Sequence, residues 1–163
     1  MANDLRRRFE SALAKPGAPS SDYDLNSDVQ LPQGRRLRPA GVLVAVAPRD
    51  TGAVVFLTKR APTLKHHPGQ IAFPGGKVDD GDADPVAAAL REAQEEIGLP
   101  PTAVDVLGTL PAHETVTGFQ VTPVLAIVEE PFLPVPELGE VAEIFEVPLA
   151  HVLDRDRYSI PVS

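Results

Sequence analysis

"DADPVAAALREAQEEIGL", residues 82–99, carries the strongest helix signal in the chain. Asp84 suits the N-cap and Pro85 the first helical position, where a missing N–H costs nothing. Val86, Ala89, Leu90, Ala93 and Ile97 recur at helical spacing, and Gly98 supplies a C-terminal stop. On a helix, Glu92, Glu95 and Glu96 fall at i, i+3 and i+4 and share one face. Like charges at those offsets cost about 0.2–0.5 kcal/mol per pair. Either water screens that repulsion or a cation sits there. The apolar stripe centres near Val86 and Ala93, so the three carboxylates are expected on a neighbouring arc turned away from the core.

Upstream, "GVLVAVA" (41–47) and "AVVFLTK" (53–59) read as buried strands joined by a "PRDTG" turn. Residues 61–76 form a long Pro-, His- and Gly-rich connection, of a kind that often carries function. Downstream, "AVDVLGTLP" (103–111) and "QVTPVLAIVE" (120–129) read as strands around the loop "AHETVTGF". A Pro/Glu-rich turn (130–140), a strand (143–148) and a short helix (148–154) complete the pattern. At the N-terminus, residues 3–14 can form a short amphipathic helix, and 16–34 read as a Pro/Gly/Ser-rich linker. The domain is therefore expected over 35–163, with 1–34 as helix and linker.

The chain has 163 residues, a size suited to one domain, and no cysteine, which excludes disulfides and thiolate metal sites. No apolar run approaches a membrane span and no apolar segment follows "LRRR", so a cytoplasmic protein without a membrane partner is expected. A net charge of −8 disfavours nucleic acid as a partner. The charge is uneven. Residues 35–67 carry seven Lys and Arg against Asp50 alone, a net +6, leaving −14 elsewhere. Such a section suits a small polyanion; a solvated basic loop surface is the other reading. A monomer or homodimer is expected.

"FPGGKVDDGDADPVAAALREAQEEIGL" (73–99) resembles the Nudix box, Gly-x5-Glu-x7-Arg-Glu-U-x-Glu-Glu-x-Gly-U with U aliphatic. Arg91, Glu92, Glu95, Glu96 and Gly98 match without a gap. The first half departs: Ala83 and Lys77 stand where Glu and Gly belong, and one inserted residue restores Gly76, with Asp82 the nearest acid. "LTKRAPTLKHHPGQIAFPGG" (57–76) resembles the signature of the coenzyme A pyrophosphatase branch of the Nudix hydrolases. Leu57, Thr58, Arg60, Ala61, Gly69, Phe73, Pro74, Gly75 and Gly76 fall in register. Phe56 and Lys65 replace a Leu and an Arg.

The resemblance implies an α+β Nudix fold, an α/β/α sandwich with a mixed β-sheet, and hydrolysis of coenzyme A to 4′-phosphopantetheine and adenosine 3′,5′-bisphosphate. Rival readings are another nucleoside diphosphate derivative such as ADP-ribose as substrate, or a non-catalytic nucleotide-binding domain. It further implies Mg²⁺ or Mn²⁺ on Glu92, Glu95 and Glu96, joined by the Gly76 carbonyl, with Arg91 orienting the carboxylates. The base is open between Glu92, Glu95, Glu114 and Glu140, with Glu140 preferred as the extra acid. Arg60 and Lys65 are the expected phosphate contacts, Arg36 and Arg38 weaker ones, and Gly69 and Gly75 allow a tight turn beside the substrate. His66, His67 and His113 are ambiguous, and Phe73 is expected in the core. Relatives usually continue past the last short helix. Either this chain, ending "RYSIPVS", is shortened or this member ends early.

Overall fold

The computed structural model describes residues 37–50, 52–62, 69–115 and 117–153, together with Arg7, Ser20 and Ser21. The helix expected over 3–14 lies outside these residues except for Arg7, which is helical. Lys65, His66, His67 and Arg36 also lie outside them.

Among the described residues, nine strands form one mixed sheet. They are β1 (Ser20–Ser21), β2 (Arg38–Ala47), β3 (Val54–Arg60), β4 (Ile71–Ala72), β5 (Gly75–Lys77), β6 (Val104–Thr109), β7 (His113–Glu114), β8 (Phe119–Val128) and β9 (Val141–Pro148). The principal strand order is β1-β7-β8-β2-β3-β4. β2 and β8 run parallel over nine paired positions, from Arg38 with Phe119 to Val46 with Ile127. This pair is buried on both faces, which is why "AGVLVAVA" reads as a continuous apolar run rather than an alternation. Along its other edge β2 meets two antiparallel partners, β5 at Ala40–Val42 and β3 at Val46–Ala47. β9 covers the far edge of β3.

α1 (Pro85–Ile97) packs on one face of the sheet, and α2 (Leu149–Leu153) touches the other. On the α1 face, Ala89, Ala93 and Ile97 meet Leu43, Ala45, Phe56, Val124 and Ala126. Val42, Val44, Val55, Leu57, Phe73 and Leu125 form the opposite layer, to which Leu149 and Val152 are partly buried neighbours. Each fully buried Leu, Ile or Phe contributes about 1.5–3 kcal/mol relative to exposure. The expected sandwich is present, and Phe73 is in the core.

The caps of α1 are as read. The Asp84 side chain accepts a hydrogen bond from the Ala87 N–H at 2.9 Å, and Pro85 opens the first turn. Gly98 ends the helix at φ 74°, a left-handed conformation that disfavours side chains with a Cβ. Three segments read as linker or loop hold short strands. Ser20–Ser21 pairs in parallel with His113–Glu114, itself inside "AHETVTGF", and β4 and β5 lie in the connection after β3. Strands of two or three residues leave too little alternation to be legible.

Candidate active site

The "FPGG" turn brings β5 under α1. A methyl on Gly41 would overlap the Pro85 carbonyl oxygen, and one on Gly75 would overlap the Gly41 backbone. At Gly76 a Cβ would stand 2.9 Å from Glu92 Cδ. The glycines thus let a strand run directly beneath the helix, and Glu92 occupies the space that a side chain at residue 76 would fill.

Three carboxylates converge here. Glu92 and Glu96 come from α1 and Glu140 from the turn before β9, and one oxygen from each lies within 4.8 Å of the others. The turn is held from both sides. The Glu137 N–H donates to the Glu96 carbonyl at 3.0 Å, and the Ala61 N–H donates to the Glu140 carbonyl at 2.8 Å. Glu96 is buried, 6% exposed, and its Oε2 accepts the Gly75 N–H at 2.9 Å. Burial pushes its carboxyl up to about 8; Glu92 and Glu140 add to the rise, while the Gly75 N–H and the Arg60 charge oppose it. Glu92 is also raised, first by burial and then by Glu95 and Glu140, against the pull of Arg91.

Arg91 links the first part of the motif to the second. Its Nε and Nη2 donate to Asp82 at 3.0 and 2.9 Å, and its Nη1 donates to Glu92 Oε1 at 2.9 Å and Glu95 Oε2 at 3.3 Å. Nη2 also reaches the Lys77 carbonyl at 3.4 Å and Asp79 at 3.3 Å. The Asp82 side chain is only 6% exposed, and the hydrogen bond from Arg91 holds its carboxyl below the usual range. Asp82 thus takes up Arg91 although the expected glutamate position holds Ala83.

The expected carboxylate set changes in two respects. Glu95 stands outside the converging group: its side chain is 55% exposed and accepts from Arg91. Glu96, expected on an arc turned away from the core, is buried instead, its carboxylate turned in to the Gly75 N–H of β5. Of the two later-loop acids, Glu140 joins the group, whereas Glu114 lies with His113 in β7 outside it. Gly69 turns at φ 75° with its N–H on the Arg60 carbonyl, and Arg60 lies close enough for its charge to act on Glu96. Arg38 sits over the Phe119 ring, 4.3 Å from its centroid.

The donor set suits a hard divalent cation such as Mg²⁺ or Mn²⁺. All three side chains offer oxygen, two are partly or fully desolvated, and burial, with repulsion from neighbouring carboxylates second to it, raises both helix carboxyls. Glu92, Glu96 and Glu140 would hold the ion.

Comparison with known proteins agrees with this geometry. The NUDIX domain family matches residues 37–159. The uncharacterized Nudix hydrolase NudL of Cronobacter sakazakii is 57% identical over 122 residues, covering 74% of this chain. That match spans 62% of the relative's own length, under two thirds of it. NudL of Klebsiella pneumoniae strain 342 is 46% identical over 149 residues, covering 85% of this chain and 77% of the relative. The crystal structure of RenU, a Nudix hydrolase from M. smegmatis, superposes with a TM-score of 0.60 at 31% identity, covering 86% of this chain and 84% of that one. With a mixed sheet, a capped glutamate helix over a glycine turn and these relatives, the chain belongs to the Nudix hydrolase family.

Proposed function

We propose that this protein hydrolyses the diphosphate bond of coenzyme A, giving 4′-phosphopantetheine and adenosine 3′,5′-bisphosphate, with Mg²⁺ or Mn²⁺ as cofactor. The observation that carries the hydrolase reading is the convergence of Glu92, Glu96 and Glu140 beside Gly75 and Gly76. The coenzyme A reading is supported by the 57–76 signature, whose Arg60 lies beside this group.

Glu92, Glu96 and Glu140 would hold the divalent ion, which would supply charge neutralisation at the phosphates and a lowered pKa for the attacking water. The protein's part is to hold the groups still. Arg91 fixes Glu92 through Nη1 and is itself fixed by Asp82, so the carboxylate keeps its place without reorganising during reaction. The Gly75 N–H does the same for Glu96. Glu95, on the same helix but outside the converging group, is the acid we assign as general base. As the water oxygen bonds to phosphorus, its proton passes to the Glu95 carboxylate, and the bridging P–O bond breaks with its electron pair leaving on the departing phosphate. Arg60 contacts the substrate phosphates.

A panel of coenzyme A, 3′-dephospho-coenzyme A, ADP-ribose and dinucleoside polyphosphates, assayed with Mg²⁺ and with Mn²⁺, tests this. The highest kcat/KM is expected for coenzyme A. A clear preference for a ligand lacking the 3′-phosphate moves the protein to another diphosphate substrate. Tight binding with no turnover at any metal concentration makes it a nucleotide-binding domain.

A further inference from the structure

Four large apolar side chains are exposed among the described residues, and three of them, Leu133, Val135 and Leu138, crowd into residues 133–138. Single exposed apolar residues are ordinary, whereas a contiguous cluster marks a contact surface. The stretch is firmly held. Phe132 anchors it, its ring 5.2 Å from that of the buried Phe56. The Val135 N–H donates to the Ile97 carbonyl at 2.9 Å and the Glu137 N–H to the Glu96 carbonyl at 3.0 Å, while Pro134 and Pro136 fix φ between them. Val135 and Leu138 are thus kept in place at 55% and 75% exposure.

Between this stretch and the outer side of α1 lies an open cleft of about 450 Å³, lined by Glu95 and Gly98 on the helix and by Val135, Glu137 and Leu138 opposite. Both of its walls run into the carboxylate group. On the helix, Glu95 precedes Glu96, and Arg91 Nη1 donates to Glu92 and Glu95 alike. On the facing wall, the Glu140 N–H donates to the Glu137 carbonyl at 3.0 Å, so one tight turn carries both Leu138 and Glu140. A diphosphate at Glu92, Glu96 and Glu140 would therefore have one of its two substituents at the mouth of the cleft. The charge of the lining selects which one. Glu95 and Glu137 are the charged side chains along it, and they repel a substituent that carries a phosphate of its own. An uncharged chain meets no such repulsion and covers Val135 and Leu138.

We propose that this cleft is the subsite for the non-nucleotide half of the substrate, with Val135 and Leu138 packing against an uncharged aliphatic chain carried on the diphosphate. The assignment rests on the diphosphatase reading above and deepens it. The favoured substrates are diphosphates whose second substituent bears a chain of several carbons rather than a compact sugar.

The test uses monoalkyl phosphates of two, four and eight carbons, which place a phosphate at the carboxylates and a chain in the cleft. Kd is measured by calorimetry on the full chain in Mn²⁺. Each fully buried CH₂ tightens Kd about fourfold, so in an open cleft octyl phosphate is expected to bind at least about tenfold tighter than ethyl phosphate. Val135→Ser combined with Leu138→Ser is expected to cut that ratio to about threefold or less. Tm and the ethyl phosphate Kd should stay near wild type, because both side chains are exposed. Equal Kd values across the series in the wild type overturn the proposal, as does a ratio that survives in the double variant. A wild-type dimer that the double variant dissociates in sedimentation, with no chain-length dependence, puts a second copy in the cleft and overturns it too. Chain-length dependence with a panel preference for a diphosphate other than coenzyme A removes the coenzyme A reading and leaves the subsite standing. Coenzyme A turnover with a flat series gives the reverse, and no alkyl phosphate binding with no turnover of any panel substrate removes both.

Discussion

Glu96 shows how much one buried carboxylate can ask of its surroundings. It lies between α1, the Gly75 turn and the Glu140 turn, and its carboxyl titrates near 8 rather than at the ordinary 4.5. Between those values the folded protein keeps a proton that the unfolded chain has released, so stability is lost as pH rises through the window. Glu92, raised likewise, adds in the same direction; Asp82, lowered, acts only below its ordinary 3.8. In EDTA, the Tm of the wild type is therefore expected to fall between about pH 5 and about pH 8, and Glu96→Gln to flatten that fall. A thermal scan across pH checks it, and a Tm rising with pH would contradict the assignment. Also at this scale, Glu95→Gln is expected to lower kcat by about 10²-fold or more with the metal-induced rise in Tm retained. Initial rates and a metal titration followed by Tm separate loss of a base from loss of a ligand.

At the scale of elements, β5 and α1 work as a unit because glycine allows their close approach. Gly76→Ala puts a methyl 2.9 Å from Glu92 Cδ, and the side chain has to move. The expected outcome is at least a tenfold fall in kcat with the far-ultraviolet circular dichroism of the wild type, since the sheet and helix persist while the carboxylate shifts. The helix ends contribute separately. Asp84→Ala removes the side-chain acceptor for the Ala87 N–H and is expected to cost about 1 kcal/mol in urea unfolding. Residual activity per folded molecule should stay near wild type, because the cap lies two turns from Glu92.

At the scale of the whole molecule, the carboxylate group proposed to hold the metal joins a helix to a turn far along the chain. Mg²⁺ should therefore stabilise the tertiary fold rather than α1 alone. At a hundredfold excess over Kd the expected gain is about 2.7 kcal/mol, seen as a rise in Tm. Glu140→Ala should remove most of that gain. An equal rise in that variant would place the ion elsewhere.

The sequence by itself determined whatever depends on neighbours along the chain. The helical repeat from Val86 to Ile97, the Asp84 cap and the Gly98 stop set α1, and the apolar runs at 40–47 and 120–128 set the central strand pair. Arg91, too, could be read as an orienter because its partners Glu92 and Glu95 lie within one turn. Only the tertiary structure decided between acids that look alike in sequence. Glu96 is buried because its side chain turns in to the Gly75 N–H of β5, whereas Glu95 stays exposed, and Glu140 rather than Glu114 arrives because the turn before β9 is tied to Ala61 and to α1. Burial and the distance between charges are set by contacts remote in sequence, and local spacing carries no record of them.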